Sequence, residues 1–317
     1  MSNYYKVIME EQILKATRDG FGEGLVEAGA LNEKILALCC DLTESTRLDG
    51  FKSMYPDRFI EIGVAEQNMA GIGAGLALEG FIPFIASYAV FSPGRNWDQI
   101  RVSICYSNLN VKIIGAHAGL SVGPDGATHQ ALEDIAITRV LPNMLVVNPC
   151  DAVEAKKVAI AVSNYVGPCY IRLARSNTPI ITNEKDFFEL GKANILQAGN
   201  KLTLISSGPV LSEVMQAVKG MTEVEVINLH TIKPIDKDAI IKSVKKTGKV
   251  LTVEEHQLNG GIGSAVCEVL SCNYPVKIKM LGVNDSFGES GTPSELWKKF
   301  GIDSDSIKKQ VENFLKE

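Results

Sequence analysis

The sequence predicts an α/β fold class: two doubly wound domains, each a mostly parallel sheet with helices on both faces. Short apolar runs alternate with helical patterns along most of the 317 residues. A polar, turn-rich stretch, Arg175–Lys192, interrupts this alternation, which then restarts. Alternating strands and helices are typical of βαβ units, because parallel strands need a crossover connection. We therefore predict one domain at 1–188 and a second at 189–317.

In the first domain, five apolar runs are predicted to be buried strands: Lys34–Asp41, Phe81–Ser87, Val111–His117, Met144–Asn148 and Cys169–Leu173. Helical patterns lie between them, at Glu66–Glu79, Trp97–Tyr106, Gln130–Val140 and Asp151–Asn164. Asp151 is a candidate N-cap, and Glu154 follows at the spacing of a capping box. Ligands of open parallel sheets bind beyond the carboxyl ends of the strands. We therefore expect the chemistry in segments 41–47, 88–97 and 117–130.

The second domain repeats the pattern. Its predicted strands are Leu202–Ser206, Val224–Leu229, Val250–Glu254 and Val276–Leu281, and its predicted helices are Ser212–Val218, Asp238–Lys246 and Ile262–Leu270. A glycine-rich turn at 254–264 joins a strand to a helix and could bind an anion at the helix N-terminus. Glycines at such a turn also allow close packing, and we favour that interpretation. We expect His230 and His256 to make local hydrogen bonds only.

Composition and charge exclude several classes of partner. The net charge is −5 and the pI is about 5.6, whereas nucleic acids and anionic membranes attract basic surfaces. No apolar run reaches the length of about 18 residues that a bilayer span needs. The first ten residues, 1–10, lack the pattern of a signal peptide. The seven cysteines form no C-x-x-C and no Cys/His ligand spacing, so we expect buried thiols in a reducing cytoplasm and no metal ligands.

The segment His117–Gln130 (HAGLSVGPDGATHQ) carries the strongest chemical signal. It leaves a predicted strand, passes through glycines and a Pro-Asp-Gly turn, and contains two of the four histidines. A histidine near its ordinary pKa can move a proton, and Asp125 could orient a hydroxyl group. The helix expected after the loop could hold an anion at its N-terminus. The alternative is a tight loop whose glycines satisfy geometry and whose histidines only cap.

A second motif is Ile62–Met69 (IGVAEQNM), in which Glu66 opens a small, apolar helical pattern. A lone carboxylate in such a pocket favours its neutral form or needs a basic partner. The ordinary alternative is an acidic side chain that complements the helix dipole. The glycines at 71, 73 and 75 do not have the spacing of a dinucleotide-binding fingerprint and suit close helix packing better.

Four motifs in this order resemble the second half of the transketolase family. Two are those around Glu66 and His117–Gln130; the others are Asp41–Ser45 (DLTES), similar to the family's D-L-T-P-S, and Leu173–Asn177 (LARSN), similar to its L-S-R-Q-N. The resemblance covers nearly the whole chain, as a pyrimidine-binding domain followed by a transketolase C-terminal domain. It implies transfer of a two-carbon ketol unit from a ketose phosphate to an aldose phosphate with thiamine diphosphate.

The resemblance also implies roles for the cofactor side of the site. Glu66 matches the residue that bonds N1′ of the cofactor's pyrimidine and controls its tautomer. Tyr88 and Phe91 resemble the aromatic residues that pack against this ring, although by themselves they could equally be core. Asp41 matches a residue near the thiazolium. The segment Phe91–Trp97 departs from the full-length enzymes, which leaves a third ring contact open.

On the substrate side, the resemblance implies a phosphate-binding cluster of Arg18, Ser45, His117 and Arg175. Guanidinium groups suit this task because they bind phosphate through a fork of donors. Asp125 matches the carboxylate that reads the C2 hydroxyl of the acceptor, and His129 matches a histidine beside the reacting carbon. The implied catalytic residues are therefore Glu66, His129 and His117. Without the resemblance, Arg18 would be read as an ordinary exposed helix residue.

The chain lacks the family's G-D-G motif, which in the other half binds the diphosphate through Mg²⁺. The resemblance thus implies a partner subunit that supplies the diphosphate site and its metal, in an α₂β₂ assembly with active sites at subunit interfaces. Two related families remain as alternatives. One is half of a 1-deoxyxylulose-5-phosphate synthase-like enzyme, which usually has an acid in place of His117. The other is a 2-oxo acid dehydrogenase E1 β-like subunit, which lacks the D-G-x-T-H sequence and a counterpart of Arg175. A non-catalytic scaffold would need none of these side chains.

Overall fold

The computed structural model describes residues 13–317, so the predicted absence of a signal peptide in 1–10 lies outside the described residues. The strands are β1 (Leu14–Lys15), β2 (Ile35–Cys39), β3 (Phe59–Glu61), β4 (Ile82–Tyr88), β5 (Lys112–Ala116), β6 (Leu145–Val147), β7 (Cys169–Arg172), β8 (Thr178–Pro179), β9 (Asn194–Gln197), β10 (Leu202–Ser206), β11 (Val224–Asn228), β12 (Thr231–Lys233), β13 (Lys249–Gln257) and β14 (Lys277–Val283).

The helices are α1 (Thr17–Leu31), α2 (Asp49–Met54), α3 (Glu66–Leu78), α4 (Trp97–Gln99), α5 (Asp134–Arg139), α6 (Ala152–Asn164), α7 (Leu211–Ala217), α8 (Lys237–Thr247), α9 (Ile262–Asn273), α10 (Pro293–Lys299) and α11 (Ser304–Lys316). A π-helix, Ile100–Tyr106, continues α4, and 3₁₀ turns lie at Pro56–Arg58 and Leu120–Val122. The predicted helix at Trp97–Tyr106 therefore exists, but most of it has π geometry.

Two sheets form the centres of the two halves, and the predicted two-domain α/β fold is confirmed. The first sheet has the order β12-β6-β7-β5-β4-β2-β3, and the second has the order β14-β13-β10-β11-β9. Neighbouring strands are parallel except β12 against β6 and β9 against β11. All nine apolar runs predicted as strands are strands. Most of these strands are buried along their whole length, as expected for parallel strands covered on both faces.

Helix α1 was not predicted, because its four glycines, at 20, 22, 24 and 29, lower helix propensity. The packing of α1 on α6 explains them. A Cβ atom on Gly24 would lie 2.6 Å from the carbonyl oxygen of Lys156 in α6. Glycine lets the two helix backbones approach closely, and this contact outweighs the local propensity.

The helix predicted at Gln130–Val140 starts later, at Asp134. The side-chain amide of Gln130 donates to the carbonyl oxygens of Leu120 and Gly123, and Ala131 forms an isolated bridge with Ala118. These contacts hold the start of the predicted helix in an extended loop. The N-cap prediction at Asp151 is confirmed, since its carboxylate accepts from the amide of Glu154 at 2.8 Å.

The capping box is only half formed, because the carboxylate of Glu154 accepts from the amide of Cys150, at 2.7 Å, and not from Asp151. All seven cysteines lie in the described residues as free thiols; five are buried, Cys267 is half-buried and Cys272 is exposed. Within residues 13–317, no helix combines the length and the apolar composition needed to cross a membrane.

Candidate active site

Side chains that the sequence singles out lie at the carboxyl ends of the parallel strands of the first sheet. Tyr88 is the last residue of β4, His117 directly follows β5, and Arg175 lies three residues after β7. These strands are neighbours in the order β7-β5-β4-β2. Carboxyl ends of parallel strands meet at one edge of a sheet, so the three side chains converge although they are far apart in sequence.

Four rings form an aromatic cluster around Tyr88. The rings of Tyr88 and His117 are stacked, with centroids 3.9 Å apart. Phe91 lies nearly parallel to Tyr88 at 6.0 Å, and His129 meets Phe91 edge-on at 5.5 Å. Tyr88 and Phe91 are only half-buried. Part of each ring therefore lies outside the core. From the sequence alone, a core position had been an equally good interpretation of both residues.

His117 is held as a neutral imidazole. Its side chain is 2% exposed, and burial lowers its pKa to about 3, with the positive charges of Arg18 and Arg175 acting in the same direction. Nη1 of Arg18 lies 3.3 Å from Nε2 of His117. Because arginine can only donate, Nε2 accepts and the ring proton is on Nδ1, which has no hydrogen-bond partner among the described residues. The expectation of a histidine near its ordinary pKa is therefore wrong here.

Three arginines surround this imidazole. Arg18 also donates to the carbonyl oxygen of Ser45 at 2.9 Å, and burial lowers the pKa of its guanidinium. Arg175 donates to a carboxylate oxygen of Asp125 at 3.2 Å. Arg47, which the sequence analysis missed, pairs with Asp19 at 2.6 Å. Three guanidinium groups against two carboxylates leave this end of the site with a positive excess, which suits an anionic substrate group.

Arg18 is half-buried and bonded to a histidine 99 residues away. Its interpretation as an ordinary exposed helix residue is therefore wrong. The signal that could have found Arg47 was its position two residues after the DLTES motif.

Glu66 is the first residue of α3 and is 4% exposed. Its carboxylate accepts from Oγ of Ser87 and from Nη1 of Arg95, each at 3.3 Å. The guanidinium of Arg95 also lies 4.0 Å above the centroid of the Phe91 ring. Arg95 thus links the carboxylate of Glu66 to the Phe91 ring within the unusual segment Phe91–Trp97. Ser87 and Arg95 were not predicted as site residues.

Asp41 follows β2 with a left-handed backbone, φ 59°. Its amide donates to Oε1 of Glu61 at 2.7 Å, and the same oxygen accepts from the amide of Gly63. Among the described residues, Glu61 therefore organises this turn, and the side chain of Asp41 is exposed. The structure brings together the other predicted site residues through the contacts given above.

The helix N-terminus expected after the His117–Gln130 loop is not an anion site. Helix α5 begins with Asp134, whose carboxylate accepts from the hydroxyl of Tyr170 at 2.7 Å and from Nε of Arg172 at 2.8 Å. Negative charge already occupies this position. The expectation is therefore wrong, and the positive charge of this region lies instead in the arginine cluster.

In the second half, the glycine-rich turn has a packing role, as favoured from the sequence. The carboxylate of Glu254 accepts from the amides of Ile262 and Gly263, at 2.7 and 3.0 Å, and so fills the N-terminus of α9. His230 and His256 make the expected local bonds, to Thr231 and to the carbonyl of Gln257. In the described part of the chain, no group of three or more His, Cys, Asp or Glu side chains could hold a metal ion.

Comparison with known families identifies both halves. Residues 14–180 match the transketolase pyrimidine-binding domain, and residues 191–307 match the transketolase C-terminal domain. The fold and this site define a protein with the pyrimidine-side architecture of a thiamine-dependent enzyme. The chain belongs to the transketolase family.

Relatives of similar length share the whole chain. A putative transketolase C-terminal section of Methanocaldococcus jannaschii is 43% identical over 311 residues, which are 96% of this chain and 98% of the relative. A 6-deoxy-6-sulfo-D-fructose transketolase subunit of a Clostridium species is 38% identical and covers 97% of this chain and 96% of its own length. Human transketolase is 37% identical, but the match covers only 49% of its length.

A solved structure of a split-gene transketolase, an inactive β4 tetramer, superposes with a TM-score of 0.88. It is 42% identical and covers 95% of this chain and 98% of the compared chain. The similarity in fold therefore extends over both sheets.

Proposed function

We propose that the chain is the pyrimidine-binding subunit of a two-subunit, thiamine-diphosphate-dependent transketolase, which moves a two-carbon ketol unit from a ketose phosphate to an aldose phosphate. The observation that carries the proposal is the arrangement of Glu66. Arg95 joins this buried carboxylate to the Phe91 ring, and the neighbouring Tyr88 ring stacks on His117, which lies among arginines. The proposed domains are 1–188 and 189–317.

The residues present fit the pyrimidine of the cofactor. Tyr88 and Phe91 are half-buried and keep exposed ring surface that can pack against the pyrimidine. The carboxylate of Glu66, whose hydrogen bonds are all 3.3 Å long, can accept from a ring nitrogen. When bound, thiamine diphosphate supplies the nucleophilic carbon that accepts the two-carbon unit. Glu66 would control the protonation of the ring, and Asp41 would face the thiazolium side.

The arginine cluster would hold the phosphate of the sugar. Arg18 and Arg175 offer forked donors, and His117 holds one more unused donor, the N–H of Nδ1, without adding a positive charge. Ser45 lies against Arg18 and closes the cluster. Asp125 would bind a hydroxyl of the acceptor, and His129, at the edge of the Phe91 ring, would lie beside the reacting carbon.

A partner subunit would supply the diphosphate site and Mg²⁺. The chain spans about half of human transketolase, and its split-gene structural relative is an inactive β4 tetramer. The outer face of α3, which begins at Glu66, is open: Cβ atoms on Gly71 and Gly75 would meet nothing within 4 Å, and Leu78 is 71% exposed. We propose that the partner covers this face in an α₂β₂ assembly, with the cofactor at the interface.

The proposal fixes the chemical class of the sugar substrate, a sugar with an anionic end, and not the individual sugar. One relative is a subunit for a sulfonated ketose, and another, from Phocaeicola vulgatus, is an apulose-4-phosphate transketolase subunit. Both names specify a sugar with an anionic end, which agrees with the arginine cluster. Pentose phosphates are the default substrates for a first assay. The free cysteines suit a cytoplasmic location.

The test is ketol transfer from xylulose 5-phosphate to ribose 5-phosphate, with thiamine diphosphate and Mg²⁺. The chain is assayed alone and after co-expression with a diphosphate-domain subunit. We expect activity only in the mixture. Full activity of the chain alone would contradict the two-subunit proposal. A stable but inactive complex would exclude these pentose phosphates and would make pyruvate, the substrate class of the related E1 enzymes, the next substrate.

A further inference from the structure

The loop His117–Gln130, here called the substrate loop, is fixed from the side of the second sheet. Its fifth residue, Ser121, is fully buried and donates both its amide and its hydroxyl to the carboxylate of Glu255, the hydroxyl at 3.2 Å from Oε2. Glu255 belongs to β13, 134 residues further along the chain, and is itself 2% exposed. The contact therefore joins the two halves through a buried carboxylate.

The backbone of the loop is shaped to this carboxylate. Gly119 has φ 83°, and a Cβ atom there would lie 2.6 Å from the carboxyl carbon of Glu255. Only glycine satisfies both conditions, because a side chain would be strained in this conformation and would displace the carboxylate. Gly119 thus allows the loop backbone to pack closely against the carboxylate of Glu255. This contact could not be predicted from the sequence.

The same stretch of loop positions the anion cluster. Arg175 donates to the carbonyl oxygen of Val122 at 3.0 Å, and the hydroxyl of Ser176 donates to the carbonyl of Ser121 at 2.6 Å. On the far side, the amide of Gln130 donates to the carbonyl of Glu289 at 2.9 Å. A shift of Ser121 would therefore move Arg175 as well as the two ends of the loop, which carry His117 and His129.

Glu255 is also held in place from behind. Nη2 of Arg172 donates to its carbonyl oxygen at 2.9 Å, and Arg172 is paired with Asp134 at 2.8 Å. Both partners of that pair are almost fully buried. Because its main chain is held by a buried ion pair and its carboxylate by two loop donors, Glu255 can define the height of the loop over the sheet.

We propose that Glu255 is a positioning residue for sugar-phosphate binding: it acts from the second sheet through Ser121 and sets the geometry of the substrate loop. This inference rests on the proposed transketolase function for its catalytic consequence. The second half of the chain then has a part in the reaction beyond assembly.

The test compares Glu255→Gln with Glu225→Gln. Glu225 is a matched control, because it is also 2% exposed and lies in the same sheet, but pairs with Lys246 away from the loop. Backbone hydrogen exchange is measured on the chain alone, and ketol transfer is measured in the complex with the partner subunit. We expect Glu255→Gln to raise exchange selectively in 117–130 and to raise KM for the ketose phosphate about tenfold with a smaller change in kcat. Glu225→Gln should do neither.

A second variant, Ser121→Ala, guards against misfolding, since it removes only the hydroxyl bond on the loop side. It should raise exchange in the same segment to a smaller extent, and its effect should shrink when Glu255→Gln is already present. Unchanged exchange of 117–130 in both variants would overturn the positioning role, whatever the enzyme activity. Increased exchange with an unchanged KM would overturn its catalytic consequence. An inactive wild-type complex would count against the proposed function and leave the exchange result intact as a test of the contact.

Discussion

The carboxyl ends of the two sheets differ in what reaches the surface. At the first sheet, the rings of Tyr88 and Phe91 are half-buried, and Arg175 is 39% exposed. At the second sheet, Glu254, Glu255 and His256 at the end of β13 are exposed by 2% or less. Both sheets are built from strands followed by helices, and in each sheet the loops after the parallel strands lie at the carboxyl ends of those strands. Sheet topology therefore provides a position where a site could form. The side chains at that position must also be accessible and incompletely paired before they can bind a ligand.

The two buried histidines that stack on aromatic rings show the same contrast. His117 stacks on Tyr88 at 3.9 Å and His230 on Phe188 at 4.5 Å, and burial lowers the pKa of both, to about 3 and about 4. The charges that act on the pKa of His117 include three arginines, whereas the charge that acts on the pKa of His230 is that of Asp236. A neutral imidazole thus lies among guanidinium groups in one half and serves as a packing element in the other.

The contrast between an accessible first sheet and a buried second sheet is tested most strongly by Glu66→Gln, assayed in the complex with the partner subunit. The amide cannot take or share a proton as a carboxylate does, so we expect turnover to fall about a hundredfold or more. Steady-state ketol transfer is the measurement. Glu312→Gln, an exposed change on α11 in the second half, is the control and should be silent. Equal turnover of Glu66→Gln and wild type would favour a non-catalytic scaffold.

His117→Gln sharpens the contrast between the two histidines. Loss of the Nδ1 donor should raise KM for the ketose phosphate about tenfold. Because the pKa of His117 is lowered to about 3, the imidazole is neutral at every pH from 6 to 8, and the ratio of the two KM values should be constant over that range. His230→Gln should change thermal stability and leave KM unaltered. A ratio that varies with pH would show that the charged imidazole binds the sugar.

Glu254→Gln is expected to have the smallest effect on activity and to act on stability. Burial raises the pKa of Glu254 to about 8, above the ordinary value of an unfolded glutamate, so the folded chain binds an additional proton between these two values. The stabilising contribution is therefore complete at low pH and is lost as pH rises towards 8. The unfolding free energy of wild type should fall relative to Glu254→Gln from pH 5 to pH 8, by at most about 1.4 kcal/mol per unit.

Thermal or urea unfolding of the chain at several pH values measures this difference. Glu154, whose pKa burial raises to about 7, is present in both proteins, so its contribution cancels. A difference between wild type and variant that is independent of pH would contradict the assigned protonation of Glu254.

Local patterns were enough for the strands and for most of the long helices. A fully buried parallel strand requires a continuous apolar run, and each such run in this chain is a strand. Helices α2, α10 and α11 were not predicted either, and at two other places tertiary contacts override local preference. Glycine-rich α1 is a helix because it packs closely on α6, and the start of α5 is delayed because Gln130 is bonded to the loop before it.

The motifs likewise indicated Glu66, His117, Asp125 and His129, because these residue types stand in a recognisable order along the chain. The partners of these residues come from elsewhere: Arg95 from the loop after β4 to Glu66, Arg18 from α1 to His117, and Glu255 from β13 to the substrate loop. The sequence by itself determined the fold class and the chemical groups of the site, since periodicity and motif order are local properties. Only the tertiary structure decided which charges surround each group, since charged contacts across 99 and 134 residues depend on how the sheets and helices pack.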